Sequence, residues 1–148
     1  MKELKTTHKF EKAVVMFLNA FDEWKLEHTG VHNELYDAEG LTPKGRKCVI
    51  EMKFRKKYYD TKMIEVAKFD ELMALDKDIV KIFFVSDPKG TYMFWLDGIK
   101  DFKKIKKYCP NTTYWNARKK RKEVYLLPES VASYISVSYT HLTLPTKA

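Results

Sequence analysis

Glu51 and Lys53 are set two positions apart in the stretch KCVIEMKFR at 47–55. Residues two apart on a strand share a face, so the Glu51 carboxylate and the Lys53 ammonium would converge on one site. A carboxylate can hold a divalent cation such as Mg²⁺, and a lysine can orient or deprotonate a water molecule. With a second carboxylate nearby, these groups are the minimum set for hydrolysing a phosphodiester bond. An isolated ExK tripeptide is weak support, because strands of basic proteins often carry Glu and Lys on a solvated face.

Asp37 is the candidate for the second carboxylate. The pattern predicts a short strand at 34–37 and then a turn-rich loop at 38–46 containing Gly40, Pro43 and Gly45, residues that let a chain reverse. If this loop connects a hairpin, Asp37 comes alongside Glu51. The alternative is that Asp37 only caps local backbone donors, and Glu39 is a rival ligand that ranks lower.

Other elements must position these residues. Positions 48, 50, 52 and 54 of the strand at 47–55 are apolar and point one way, whereas 49, 51, 53 and 55 point the other. An amphipathic helix is predicted at 10–21, with a buried stripe made of Phe10, Val14, Phe17, Leu18 and Phe21. Glu11 lies at the edge of this stripe, where it could complete the acidic cluster or simply be favourable near a helix start. The further predictions are strands at 24–29, 79–85, 91–96 and 124–127, a helix from Asp60 or Thr61 to 75, and a basic, helix-compatible stretch at 100–108.

The order of these elements, together with the motif YDAEG…KCVIEMKFRKKYY, resembles the PD-(D/E)XK nuclease superfamily over about 10–85. The resemblance implies an α/β fold with a restriction-endonuclease-like core, in which a central mixed sheet is flanked by helices in the order α-β-β-β-α-β, followed by further β elements. It implies that Asp37 and Glu51 bind Mg²⁺, or Mn²⁺ in its place, and that Lys53 is the catalytic lysine. By the same resemblance, Glu11 is the helix acid and Lys68 an auxiliary polar residue. The chain departs from the motif at Tyr36, where the motif has proline, although that proline is commonly absent in the superfamily.

The chain has 148 residues and a formal net charge of +8, which favours contact with polyanions such as DNA or an acidic membrane surface. Cations and aromatic side chains cluster in two places, where they could contact phosphates and bases. The residues predicted to bind nucleic acid are Arg55, Lys56, Lys57, Tyr114, Trp115, Arg118, Lys119, Lys120, Arg121 and Lys122. A non-catalytic nucleic-acid-binding module, or a subunit of a recombination complex, is the rival reading, and a homodimer is left open.

Several function classes lack their residues. The histidines show no metal-ligand spacing, and neither a GxxxxGK[ST] loop nor a GxSxG elbow occurs. Cys48 and Cys109 form no CxxC, and Cys48 is expected to be a buried thiol in a reducing cytoplasm. No segment is apolar for long enough to span a membrane.

The sequence predicts one domain at 1–136. The last residues, VSYTHLTLPTKA at 137–148, resemble the in-frame translation of a sequencing adapter and are expected to be a non-native tail. The alternative is a natural final strand, because Val137, Tyr139 and His141 alternate with small polar residues.

Overall fold

The computed structural model describes residues 2–31, 35–100, 103–110 and 119–137, and the side chains of 6–31, 35–100 and 122–136 within them. The elements in chain order are α1 (Lys2–Phe21), β1 (Lys25–His28), β2 (Ala38–Leu41), β3 (Lys47–Phe54), β4 (Thr61–Glu65), α2 (Val66–Met73), β5 (Val80–Asp87), β6 (Gly90–Trp95), β7 (Lys103–Pro110), β8 (Lys119–Pro128) and β9 (Tyr134–Val137). Short 3₁₀ turns follow β6 at Leu96–Gly98 and β8 at Glu129–Val131. The fold class is therefore α/β.

A six-stranded mixed sheet forms the centre of the described structure, in the order β1-β2-β3-β5-β6-β9. β3 and β5 are parallel, and the other neighbours are antiparallel. This confirms the predicted central mixed sheet, and the apolar strand expected at 79–85 is the interior strand β5. A second, three-stranded sheet in the order β4-β8-β7 was not predicted.

The two faces of the central sheet are both covered, which explains why β3 and β5 are buried along most of their length. Cys48, Ile50 and Met52 face a core that includes Val15 and Leu18 of α1. On the opposite face, buried residues of β3, β5 and β6 meet α2 and the second sheet in another core that includes Val49, Phe83, Phe94, Leu72 and Leu127. The predicted alternation along β3 is confirmed, and it places Glu51 and Lys53 on the side of α2.

The buried stripe of α1 differs from the predicted one. The helix begins at Lys2 rather than near Phe10, and Phe10, Phe17 and Phe21 are exposed. Leu18 of the predicted stripe is buried, together with Val15 and Glu11, which were not part of it. The prediction was wrong for the three phenylalanines because it followed the largest side chains, whereas the helix buries the face that carries Glu11.

The hairpin before β3 is shifted relative to the sequence prediction. β2 occupies Ala38–Leu41, which was expected to be loop, and residues 35–37 precede the strand rather than form it. Gly40 permits this because a Cβ there would lie 1.9 Å from the backbone carbonyl oxygen of Lys25 on β1, at a φ of +153°. The turn is thus only 42–46, but β2 and β3 still pair as the predicted antiparallel hairpin.

The predicted helix from Asp60 or Thr61 is wrong in part, and the helix-compatible stretch at 100–108 is not a helix. Residues 61–65 form β4 and the helix begins at Val66, so the order is α-β-β-β-β-α-β. The stretch at 100–108 contains β7, and β8 begins at Lys119 rather than near Val124. These segments become strands because β8 pairs with β4 on one side and β7 on the other, and these partners are distant in sequence.

A buried lysine joins the two sheets. Lys62 of β4 is 3% exposed, and its ammonium lies 2.8 Å from Asp87 at the end of β5 and 3.2 Å from Glu129 after β8. The rings of Tyr58 and Tyr92 lie against the same ammonium. Because a buried charge is costly unless it is paired, this arrangement fixes the second sheet against the first.

Val137, the first residue of the predicted tail, lies in β9 opposite Gly90. Residues 138–148 lie outside the described part of the chain. The alternative, a natural strand from Val137 onward, is therefore described for its first residue only.

Candidate active site at the open end of β3

The candidate residues lie beside the part of β3 that has a neighbouring strand on one side only; we call the other side the open flank of β3. The β1–β2 hairpin ends at the pair His28 and Ala38, and Ala38 lies opposite Ile50. Among the described strands, only β5 pairs with β3 beyond Ile50. Glu51 and Lys53 lie in this one-sided part of the strand, where side chains from neighbouring elements can approach them.

Asp37 immediately precedes β2 and lies beside β3 where the β2–β3 pairing has ended. Its backbone N–H donates to the carbonyl of Ile50 over 2.8 Å, and its Oδ2 accepts a hydrogen bond from the backbone N–H of Met52, also over 2.8 Å. The carboxylate thus takes the place of the strand partner that Met52 lacks on this side. These two hydrogen bonds hold Asp37 alongside β3 between Ile50 and Met52, next to Glu51.

Glu51 is almost fully buried, at 5% exposed. Its Oε1 lies 3.7 Å from the Nζ of Lys53, and its Oε2 lies 3.7 Å from the Nζ of Lys68. Burial, and then the negative charge of Asp37, raise the pKa of Glu51 to about 7, although both lysines act in the opposite direction. The Glu51 carboxylate is therefore attracted by the ammonium groups of Lys53 and Lys68 and repelled by the carboxylate of Asp37.

Lys53 and Lys68 differ in how exposed their side chains are. Lys68 reaches over from α2, donates to the carbonyl of Leu35 over 3.0 Å and has a side chain that is 21% exposed. Lys53 has a side chain that is 40% exposed. Lys53 is thus the better placed of the two to meet an incoming ligand, whereas Lys68 is held beside Glu51 and the segment before Asp37.

Glu11 enters the cluster from α1, paired with a histidine that the sequence did not single out. Glu11 is 4% exposed, and its Oε1 lies 2.8 Å from the Nε2 of His28. Burial raises the pKa of Glu11, which the hydrogen bond to His28 opposes. His28 was noted only as part of a strand alternation, and a contact across 17 positions leaves no local signal in the sequence.

Gly30 marks the space where these groups converge. A Cβ at Gly30 would lie 2.7 Å from Glu11 Oε1, 2.9 Å from His28 Nε2 and 3.2 Å from Asp37 Oδ1. The backbone N–H of Gly30 also donates to the carbonyl of Asp37 over 3.1 Å. Two carboxylate oxygens and an imidazole nitrogen therefore surround one small volume that a side chain at position 30 would fill.

The chemistry of these donors fits a hard divalent cation. Within the described residues, no three His, Cys, Asp or Glu side chains are already arranged as a metal-ligand set. However, Glu11, Asp37 and Glu51 offer carboxylate oxygens, the donors that Mg²⁺ prefers, and the charges of Asp37 and Glu11 both raise the pKa of Glu51. A cation among them would relieve that repulsion.

The remaining predicted residues are more dispersed. Arg55 donates to the carbonyl of Met63 over 3.4 Å, while Lys56 and Lys57 are exposed. Lys122 pairs with Glu65 at 2.9 Å. The backbones of Lys119, Lys120 and Arg121 lie in β8, and Tyr114, Trp115 and Arg118 lie outside the described residues. The rival ligand Glu39 accepts a hydrogen bond from Tyr36 over 3.0 Å and lies opposite Val49.

Comparison of the chain with protein-family models and with curated proteins found no match. No helix in the described residues is long and apolar enough to cross a bilayer.

Proposed function

We propose that this protein is a Mg²⁺-dependent nuclease of the PD-(D/E)XK type, with DNA as substrate and Mn²⁺ as an alternative ion. The observation that supports the proposal is the position of Glu51, which lies between Lys53 and Lys68. Asp37 is held next to it by the hydrogen bond from Met52. Glu51 and Lys53 are two residues apart on one strand face, and Asp37 supplies a second carboxylate. Two carboxylates and a lysine are the groups that phosphodiester hydrolysis needs.

In this proposal Asp37 and Glu51 hold the cation, and Glu11 assists from α1. When bound, the cation supplies positive charge to the phosphate as it becomes pentavalent and lowers the pKa of a water molecule. Lys53 donates a hydrogen bond that orients the attacking water. The water oxygen bonds to phosphorus as the bond to the leaving oxygen breaks, the water gives up a proton to solvent, and the leaving oxygen takes one from solvent, which yields a phosphate monoester and an alcohol.

Lys68 and His28 act through other residues. Lys68 neutralises Glu51 and fixes the segment before Asp37 through the carbonyl of Leu35. His28 holds the Glu11 carboxylate, which would otherwise be free to turn away from Asp37. Both are positioning residues in this scheme.

A non-catalytic DNA-binding module is the second candidate. It is favoured by the fact that both Glu51 oxygens already face ammonium groups, as they would in a purely structural charge network. Such a module needs no divalent cation, and it would leave its DNA intact.

The two candidates are separated by incubating the protein with supercoiled, linear, branched and single-stranded DNA, in Mg²⁺ and in EDTA. A nuclease cleaves at least one substrate in Mg²⁺ and none in EDTA, and the product pattern distinguishes nicking, resolving and exonucleolytic activity. Retention of DNA in EDTA without cleavage in Mg²⁺ or Mn²⁺ would reject the nuclease and support the binding module.

A further inference from the structure

The second sheet extends into a two-stranded ribbon. β4 pairs with β8 from Thr61 opposite Pro128 to Glu65 opposite Val124, and no further. β7 and β8 remain paired beyond that point, from Lys106 opposite Glu123 to Pro110 opposite Lys119. We call residues 106–110 and 119–123 the distal ribbon. Within the described residues, this ribbon has no third strand.

The distal ribbon is strongly cationic. Of its ten positions, the basic ones are Lys106, Lys107, Lys119, Lys120, Arg121 and Lys122, and the acidic one is Glu123. Lys107 lies directly opposite Lys122, an arrangement of like charges that destabilises a strand pair. Glu65 pairs with Lys122 at the base of the ribbon, but β4 supplies no residue opposite the positions beyond it. A polyanionic partner would offset this concentration of charge.

The dimensions suit a double helix. Five residues of antiparallel strand span about 17 Å, and two paired backbones lie about 5 Å apart. The major groove of B-DNA is about 12 Å wide and admits a two-stranded ribbon, whereas the minor groove is about 6 Å wide. Phosphates line both walls of the groove, and cations occupy both strands of the ribbon, so each strand would meet one wall.

We propose that the distal ribbon lies in the major groove of double-stranded DNA, which makes a duplex the substrate. The identification of the bound duplex as a substrate rests on the proposed nuclease function, but the binding itself does not. The sequence indicated the cations of β8 as a nucleic-acid surface, and the pairing with β7 adds the second cationic strand. A single strand, with one row of phosphates, would use only part of this surface.

The test measures DNA binding in EDTA, where cleavage cannot contribute. The ribbon variant combines Lys106→Gln, Lys107→Gln, Lys120→Gln and Arg121→Gln, and it spares Lys122 because of its pair with Glu65. A matched control removes the same charge from exposed sites elsewhere through Lys12→Gln, Lys44→Gln, Lys47→Gln and Lys77→Gln. Circular dichroism and thermal unfolding establish that both variants fold.

Fluorescence anisotropy with a duplex and with a single strand of the same length gives the readout. We expect wild type to prefer the duplex, and the ribbon variant to lose at least about tenfold in duplex affinity, with a salt dependence shallower by about 3 to 4 log units per log unit of salt. The control variant should bind within about twofold of wild type. Methyl green, which occupies the major groove, should compete, and netropsin, which occupies the minor groove, should not.

Several results would overturn the proposal: a ribbon variant with wild-type duplex affinity, equal affinity for both DNA forms, or competition by netropsin instead of methyl green. Failure of the nuclease function would look different. It would appear as duplex binding that depends on the ribbon, without cleavage when Mg²⁺ is added.

Discussion

The carboxylate of Asp37 accepts a hydrogen bond from the backbone N–H of Met52, 2.8 Å away. β2 has not yet begun at this position, so the side chain satisfies a backbone donor that a strand carbonyl would otherwise take. One oxygen of Asp37 is used in this way, while Oδ1 lies beside the volume bordered by Gly30, Glu11 and His28. Asp37 is thus held both as part of the sheet and as part of the site.

The Asp37→Asn variant should fold normally but bind divalent cations more weakly than wild type. The amide oxygen can still accept from Met52, but the negative charge is gone. Asp37→Ala also removes the oxygen that accepts the hydrogen bond from Met52. This variant should lower the free energy of unfolding by about 1–3 kcal/mol. Denaturant unfolding measures that cost, and the rise in Tm on adding Mn²⁺ measures cation binding. An Asn variant that keeps the wild-type rise in Tm would show that Asp37 is not a ligand.

The Gly30→Ala variant should lose cation binding because its methyl group fills the site. The new methyl group would enter the space next to Glu11, His28 and Asp37, with contacts of 2.7 to 3.2 Å that force these side chains apart. The Mn²⁺-induced rise in Tm should disappear. Gly98→Ala is the matched control, because a Cβ there meets nothing within 4 Å. Equal responses to Mn²⁺ in both variants would contradict this account.

His28→Ala should weaken divalent-cation binding by about 10- to 100-fold, because Glu11 loses the group that orients it. His28→Gln should recover much of the affinity, since its amide can still donate to the Glu11 carboxylate. Isothermal titration with Mn²⁺ compares the three proteins. If the Gln and Ala variants are equally impaired, His28 does not act by positioning Glu11.

The stability of the metal-free protein should depend on pH through Glu51. Its pKa is about 7 in the folded chain against an ordinary value of 4.5, mainly because the carboxyl is buried. The folded state therefore favours the protonated form, and this contribution is present below pH 4.5 and lost as pH rises through about 7. The loss amounts to roughly 3 kcal/mol.

Glu51→Gln removes that titration. In EDTA, the free energy of unfolding of wild type relative to Glu51→Gln should fall by roughly 3 kcal/mol between about pH 4.5 and pH 8. Denaturant unfolding at a series of pH values measures the difference. A difference that is constant with pH would mean that Glu51 is not protonated in the folded, metal-free protein.

β3 could be predicted from sequence because its signal is local. Alternating apolar residues over 47–55 fix both the strand and its faces, and the observed strand is Lys47–Phe54. β4 was predicted as the start of a helix, and β7 lies in a stretch described as helix-compatible; only pairing with β8 makes them strands. The three-stranded sheet depends on long-range partners, which a local pattern cannot reveal.

The site was predictable to a similar degree. Glu51 and Lys53 share a face because of their spacing alone. Asp37 lies beside β3 because the predicted hairpin forms, although its first strand begins at Ala38, after Asp37. Lys68 was expected beside the motif on the basis of family resemblance, and it lies 3.7 Å from Glu51. His28 was missed because its contact with Glu11 depends on how α1 packs against β1.

Single-turnover cleavage by Lys53→Met tests the central proposal most directly. The variant is compared with Lys47→Met, an exposed lysine on the same strand. DNA affinity is measured in Ca²⁺, and the cleavage rate is then measured in Mg²⁺. We predict that Lys53→Met binds DNA within about threefold of wild type but cleaves at least about 100-fold more slowly, whereas Lys47→Met cleaves normally. Cleavage by Lys53→Met at the wild-type rate would contradict the assignment of Glu51 and Lys53 as the active centre.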